Sequence, residues 1–312
     1  QSADLLAGVF ENRQQYVSAA AAWREAIERF GPGNNSSRRK KLEQIINGWG
    51  QFETAHVSPV GSDTSVDFRF RNGSELTLEV FHVRVDQLLN DVKVHLRRKA
   101  IRVDYNSTNV ENIGYRLMQQ DQQKYVGQRI RSWTHKLNPR PGHQDRLVTI
   151  STGLKQAGCY LLTARMTGGN HSRIVIWKSD TALVHKRIGG GDLYFVADAV
   201  SGSPVAGAKV EFFGYEQNRI GKNQYEIKVS EFSETTDAQG QVVPRPTDPR
   251  RRLRWLVVAR TADGRRAYMG FRSAWSGRHV SRVFERTRVY AITDRPVYRP
   301  GQSVKFKFWI RQ

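Results

Sequence analysis

The feature that most constrains the fold is a series of short segments, from residue 57 onwards, in which apolar and polar residues alternate. Val66-Asp-Phe-Arg-Phe-Arg71 alternates at every position, which is typical of a strand with one buried face. The next segment, Leu76–Val85, carries apolar side chains on both faces. Asn72-Gly73 stands between the two segments and is a strong signal for a type I′ hairpin turn. We therefore expect these two strands to pair as an antiparallel hairpin.

Segments of the same kind recur along the rest of the chain, with turn residues between them. They lie at 146–150, 159–165, 172–177, 193–199, 208–213, 225–232, 255–260, 266–271, 289–292 and 303–310. Many short strands separated by turns predict antiparallel β-sandwiches. One segment, Gln87–Lys99, fits either a short helix or a loop followed by a strand.

The first fifty residues follow a helical period instead. Tyr16–Phe30 places its apolar residues three and four apart, and Gly31 is well placed to end the helix. Arg38–Phe52 resumes the helical period, through to Trp49. These segments predict a helical hairpin that resembles part of a tetratricopeptide unit. A single unit of this kind cannot bury its apolar face alone, so we expect it to dock on its neighbours.

Composition bounds the size and the charge of the molecule. The 312 residues are enough for two or three domains, and the apolar fraction of 38% is enough for packed cores. Fifty Lys and Arg residues against 29 Asp and Glu residues give a net charge of +21, which favours polyanionic partners. No segment approaches the ~20 apolar residues that a membrane-spanning helix needs. We therefore expect no membrane span.

The densest basic segment is the Pro-rich loop that precedes residue 255. It holds Arg250, Arg251, Arg252 and Arg254 and leads into Trp255. One hypothesis is a polyanion contact, in which the arginines neutralise phosphate or sulfate and Trp255 stacks. The other is a solvated loop whose charges pair with neighbouring modules. We favour the solvated loop, because no nucleic-acid-binding motif accompanies the arginines.

Catalytic and metal sites find little support in the sequence. Cys159 is the only cysteine, so no intramolecular disulfide can form, and its apolar surroundings predict a buried structural thiol. The eight histidines are scattered, and only His143 lies near a carboxylate, that of Asp145, on a Pro/Gly loop. A hydrogen-bonded loop histidine is the better interpretation. We expect no enzyme activity, no metal and no cofactor.

Two motifs resemble a known family. Asp198–Phe212 followed by Thr236–Gly240 has the rhythm of macroglobulin and related immunoglobulin-like modules. Tyr290–Lys307 resembles the start of the macroglobulin module MG2 in α2-macroglobulin-like proteins. The residues that carry this second likeness are Asp294, Arg295, Pro296, Tyr298, Arg299, Pro300, Gly301 and Gln302.

The resemblance implies tandem macroglobulin or fibronectin-like β-sandwiches from a bacterial protein of the periplasm or the cell surface. The family entraps proteases that cut a bait region, and thioester-bearing members carry a Cys-Gly-Glu-Gln motif. No such motif is present, and Gly158-Cys159-Tyr160 does not match it. The implied partners are the other modules of the parent chain, and proteases through the parent's bait region.

These inferences combine into one expected organisation. We expect a mainly β protein with a helical hairpin at 1–56, a first sandwich at 57–187, a second, macroglobulin-like sandwich at 188–283 and the truncated start of an MG2-type module at 284–312. The expected function is that of a non-catalytic structural fragment of a protease-trapping protein. The alternative is a basic adhesion or polyanion-binding module that uses the Arg250–Arg254 loop.

Overall fold

The fold begins with helices and continues as stacked antiparallel sheets. The structure, a computed structural model, describes residues 2–53, 57–98, 102–103, 108–110, 117, 123–188, 191–222, 224–244, 253–273, 288–295 and 303–311. The α-helices that the structure describes over their whole length are α1 (Ser2–Asn12), α2 (Tyr16–Phe30), α3 (Ser37–Ile46) and α4 (Val85–Leu96), and single turns of 3-10 helix lie at Asn34–Ser36, Gln123–Tyr125 and Pro141–His143. The chain is mainly β beyond the third helix, as the alternating pattern predicted.

Helices α1, α2 and α3 pack around a small core of their own. The core side chains are Ala7, Ala19, Ala20, Trp23, Ala26 and Ile45. The predicted hairpin of α2 and α3 is confirmed, and α1 is an additional helix. The prediction that the helical period continues to Phe52 is wrong. Asn47 turns extended, with φ −77° and ψ 160°, and the chain from Trp49 onwards is a strand.

The first sandwich is built from two facing sheets. Its strands are β1 (Trp49–Phe52), β2 (Val57–Ser58), β3 (Ser65–Arg71), β4 (Glu75–Val83), β5 (Val126–Lys136), β6 (Arg146–Ser151), β7 (Gly158–Met166) and β8 (His171–Lys178). One sheet has the order β1-β3-β6 and the other the order β2-β8-β7-β4-β5. All neighbours pair antiparallel except β2 and β8, which are parallel.

The predicted hairpin at Asn72-Gly73 is wrong, because β3 and β4 belong to different sheets. Phe68 and Phe70 of β3 lie in the same buried cluster as Leu76 and Leu78 of β4. The two strands therefore face each other across the core instead of sharing a ladder. Asn72, with φ 58°, makes the sharp turn that carries the chain from one sheet to the other.

The second sandwich repeats the arrangement with fewer strands. It comprises β9 (Thr181–Ile188), β10 (Gly191–Asp198), β11 (Lys209–Gly221), β12 (Gln224–Thr235), β13 (Gln241–Val242), β14 (Arg254–Arg260) and β15 (Arg266–Ser273). The sheets have the orders β13-β10-β9 and β12-β11-β14-β15. The expected boundary between 187 and 188 cuts off the last residue of β9, and it would separate β9 from β10, with which β9 pairs along its whole length. We therefore propose a junction between β8 and β9 instead.

Helix α4 fills the space between the two sandwiches, which settles the two interpretations of 87–99 in favour of a helix. Its side chains Leu88, Leu89 and Val92 share one buried cluster with Leu161 of the first sandwich and Phe213 of the second. The last described element is a hairpin of β16 (Arg288–Thr293) and β17 (Phe306–Arg311), which are antiparallel partners.

Candidate functional site

The most distinctive surface is the contact between the final hairpin and the β9–β10 face of the second sandwich. The rings of Phe195 on β10 and Trp309 on β17 meet edge to face, with centroids 5.6 Å apart. The ammonium of Lys307 lies 5.5 Å from the Phe195 ring and 5.2 Å from the Trp309 ring. Lys186 on β9 places its ammonium 4.5 Å from the Tyr290 ring of β16. Aromatic and cation–π contacts therefore join the hairpin to the sandwich.

Asp294 joins the two strands of this hairpin at the end where β16 stops and β17 begins. Its backbone N–H donates to the Lys305 carbonyl at 2.9 Å, and the Lys305 N–H donates to Asp294 Oδ1 at 3.0 Å. Arg295 Nε lies 3.5 Å from Asp294 Oδ2, and only 5% of the Asp294 side chain is exposed. Lys305 Nζ also donates to the Val200 carbonyl at 2.9 Å, which ties the hairpin to the second sandwich. Among the motif residues that the structure describes, Asp294 thus links the end of β16 to the residue before β17, and Arg295 lies beside it.

The other motif residues, Pro296, Tyr298, Arg299, Pro300, Gly301 and Gln302, lie outside the described residues. A cleft remains between the hairpin and the sandwich. Its lining includes Ala182, Val184, Ala197, Lys305 and Lys307.

Charged contacts join α4 to the second sandwich, and no sequence pattern indicated them. Asp86 pairs with Arg260, at 2.8 Å, and with Arg266. At the other end of the helix, Arg97 makes two hydrogen bonds of 2.9 Å to Glu231. Burial opposes ionisation of Asp86, but hydrogen bonds and charges from the two arginines outweigh it and hold its pKa below the usual range.

The histidine and cysteine that the sequence singled out have packing roles. His143 Nδ1 lies 2.8 Å from Asn72 Oδ1, whereas Asp145 pairs with Arg71 at 2.9 Å. The sequence neighbours His143 and Asp145 thus have different partners. Cys159 is buried in the cluster around α4, and burial raises the pKa of its thiol far above the ordinary value.

The proposed polyanion contact is described only in part. Arg250, Arg251 and Arg252 lie outside the described residues, and Arg254 is exposed at the start of β14. The Trp255 ring packs against Phe232, with centroids 5.4 Å apart, and lies over Gly214. This packing occupies the ring that the hypothesis assigned to stacking. The polyanion contact itself stays a prediction.

The described part of the chain contains neither a cluster of metal-ligating side chains nor a membrane-spanning helix. There, no three His, Cys, Asp or Glu side chains are grouped closely enough to hold a metal ion. The helices of those same residues are too short or too polar to cross a membrane.

Comparison with known proteins gives a sequence relative and several structural ones. Over 161 residues the chain is 30% identical to the alpha-2-macroglobulin of Ralstonia nicotianae, an alignment that covers 52% of this chain and 9% of that protein. No protein-family model matches. The sequence relative confirms the resemblance to bacterial α2-macroglobulin-like proteins.

Two solved structures of Escherichia coli alpha-2-macroglobulin are also similar. The one that spans domains NIE-MG1 is 17% identical, covers 72% of this chain and 97% of its own, and has a TM-score of 0.45. The one that spans MG0-NIE-MG1 is 16% identical, covers 73% and 65%, and has a TM-score of 0.44.

Proposed function

Since about half of the chain resembles a bacterial alpha-2-macroglobulin in sequence, we propose that it is a non-catalytic structural segment of a larger, protease-trapping protein. The observation that carries this proposal is the 30% identity over 161 residues. The alignment accounts for 9% of the relative. Trapping is therefore proposed for the whole protein and not for these residues alone.

The described side chains support a structural role. Asp86 of α4 and Arg97, just beyond its end, pair with the second sandwich. At the contact with the final hairpin, Lys186 and Lys307 lie against aromatic rings. His185 likewise has a local partner, because its Nε2 lies 2.7 Å from Asp192 Oδ1 and its ring stacks on Tyr194. Each of these contacts fixes one element against another.

The partners and the location follow from the resemblance. We propose that this segment contacts other modules of the same chain, and that proteases engage the whole protein through a bait region elsewhere in it. We place the protein in the periplasm or at the cell surface.

A shielding assay tests the proposal. The complete protein that contains this segment, and the 312-residue chain alone, would each be incubated with trypsin and then given a small chromogenic peptide or a large protein substrate. We expect the complete protein to block digestion of the large substrate while the small one is still cleaved. The chain alone should leave both reactions unchanged.

Each negative outcome has its own meaning. Full digestion of the large substrate in the presence of the complete protein would overturn the trapping role. Inhibition of trypsin by the 312-residue chain alone would overturn its purely structural role. Hydrolysis of a model ester or peptide by the chain, lost in His143→Ala, would instead indicate an enzyme.

A further inference from the structure

Strand β5 is the edge strand of one sheet of the first sandwich, as the described residues show it. The sheet order is β2-β8-β7-β4-β5, and among the residues that the structure describes only β4 pairs with β5. The strand runs for 11 residues without proline, and most of its side chains are exposed. An edge of this length presents a row of backbone donors and acceptors to which another strand can add.

Hydrogen bonds next to the strand show which of its backbone groups point outwards. Leu137 N–H donates to the Ser74 carbonyl at 2.7 Å, and His135 and Trp133 follow in register opposite Leu76 and Leu78. Hydrogen-bonded and non-bonded pairs alternate along an antiparallel ladder. The odd-numbered residues 131, 133 and 135 therefore bond to β4, and the even-numbered residues 132, 134 and 136 direct their N–H and C=O groups away from it.

The other side of β4 gives the same assignment independently. Thr167 N–H donates to the Glu75 carbonyl at 3.2 Å, and Thr77 and Glu79 continue the pairing with β7. These residues use their backbone groups towards β7, so their β5 neighbours receive no ladder bond from β4. Ser132, Thr134 and Lys136 thus form the outward row.

The positive charge of the edge favours an acidic partner. Strand β5 carries Arg129, Arg131 and Lys136 and contains no Asp or Glu. Arg129 pairs with Glu79 at 2.7 Å but stays 58% exposed, and Lys136 has no ion-pair partner among the described residues. Two copies of such an edge would repel each other, because like charges would face one another.

We propose that β5 is a docking edge for an extended, acidic segment of another polypeptide, which adds as an antiparallel or parallel strand. The outward row of Ser132, Thr134 and Lys136 would supply the main-chain hydrogen bonds. Arg129 and Lys136 would select carboxylates, whereas the Arg131 guanidinium already donates to the Thr152 carbonyl at 3.1 Å. The occupant is a separate acidic chain and not a second copy of this one.

Amide hydrogen exchange tests the proposal residue by residue. In the free chain, we expect the amides of 131, 133 and 135 to exchange slowly and those of 132, 134 and 136 rapidly. A decapeptide of alternating Glu and Thr should slow the even-numbered amides by at least about tenfold. The matched probe, a decapeptide of alternating Lys and Thr, should leave them unchanged.

Three variants separate strand addition from general charge attraction. Thr134→Pro removes one outward N–H without touching the ladder to β4, and should abolish protection by the acidic peptide. Thr134→Val keeps the N–H and should bind normally. Lys136→Gln should weaken binding about 2- to 5-fold, the range of one exposed ion pair. Slow exchange of the β4–β7 amides in all three variants would show that the sheet is intact.

Three results would overturn the proposal. Slow exchange of amides 132, 134 and 136 in the free chain would mean that its own residues already cover the edge. Equal protection by both peptides would show that the edge does not select an acidic partner. Absence of protection at saturating acidic peptide would leave β5 as a solvated edge whose charges only prevent aggregation.

Discussion

Arg71 and Asp145 form an ion pair, with Arg71 Nε 2.9 Å from Asp145 Oδ1, where the helices meet the first sandwich. The Arg71 guanidinium also lies 5.3 Å from the ring centroids of both Tyr16 and Trp49. Only 15% of the Arg71 side chain is exposed. One arginine of β3 therefore holds α2, β1 and the 141–145 loop together.

Replacing this arginine should loosen the helices. Arg71→Met leaves Asp145 without its partner, and we expect unfolding free energy to fall by about 2 kcal/mol, between the values for exposed and buried ion pairs. Arg71→Lys keeps the charge but loses the planar contact with the rings, so the stability of this variant should lie between those of the parent chain and of Arg71→Met. Urea unfolding of both variants, and of Asp145→Asn in a double-mutant cycle, measures the coupling. Equal stability of all variants would contradict the proposal that Arg71 holds the helices against the first sandwich.

His143 should make stability depend on pH. Burial, and then the charges of Arg24 and Arg71, hold its pKa below the ordinary value of 6.5. On acidification below 6.5, the unfolded chain therefore binds the proton before the folded chain does, and stability falls. At higher pH both forms are neutral and the effect vanishes.

His143→Asn should remove this component. Asparagine tolerates the left-handed backbone at this position, where φ is 59°. The free energy of unfolding, measured in urea between pH 5 and pH 7.5, should decline on acidification more steeply in the parent chain than in the variant. Parallel curves would show that another group is responsible.

The buried thiol should be inert in the folded chain. Cys159 lies within the cluster around α4, and burial raises the pKa of its thiol, so thiolate is scarce. We expect labelling by a thiol reagent at pH 8 to be at least about 100-fold slower than in urea, because labelling requires opening of the sandwich. Rapid labelling of the folded chain would contradict this burial.

Much of the fold was predictable because each strand carries a local signal. The alternation in β3 and the helical period of α2 depend only on neighbouring residues, and both elements were found as expected. The pairing of the strands, in contrast, depends on residues that are far apart in the sequence. Asn72-Gly73 fits a hairpin turn, yet the buried faces of β3 and β4 can share one core only if the strands lie in opposite sheets.

The structural contacts of the candidate surface were harder to foresee. Phe195 and Trp309 are more than a hundred residues apart, and the sequence gives no reason to pair them. Asp294 was predicted as a motif residue, but its hydrogen bonds with Lys305 require the hairpin register. Trp255 was proposed to stack on a ligand, and the packing of its ring against Phe232 depends on the long β11–β12 hairpin.

Two glycines should respond to substitution in opposite directions. A methyl group on Gly50 would overlap the Phe68 ring between the sheets, so Gly50→Ala should cost about 2 kcal/mol of unfolding free energy. Gly8 lies within α1, and a methyl group there would meet no atom within 4 Å beyond the neighbouring helix backbone, so Gly8→Ala should stabilise by about 0.5–1 kcal/mol. Thermal unfolding of both variants provides the measurement. A stabilising Gly50→Ala would show that the Phe68 ring does not lie against Gly50 as described.

The polyanion hypothesis makes a separable prediction about the Arg250–Arg254 loop. A net charge of +21 alone gives retention on heparin that weakens as salt rises. Changing Arg250, Arg251, Arg252 and Arg254 to Ser should therefore shift elution no more than changing the matched cations Arg39, Lys40, Arg140 and Lys155. Trp255→Leu should lower stability without altering elution, because the ring packs on Phe232. A larger shift from the loop variant than from its matched control would identify the loop as a polyanion site.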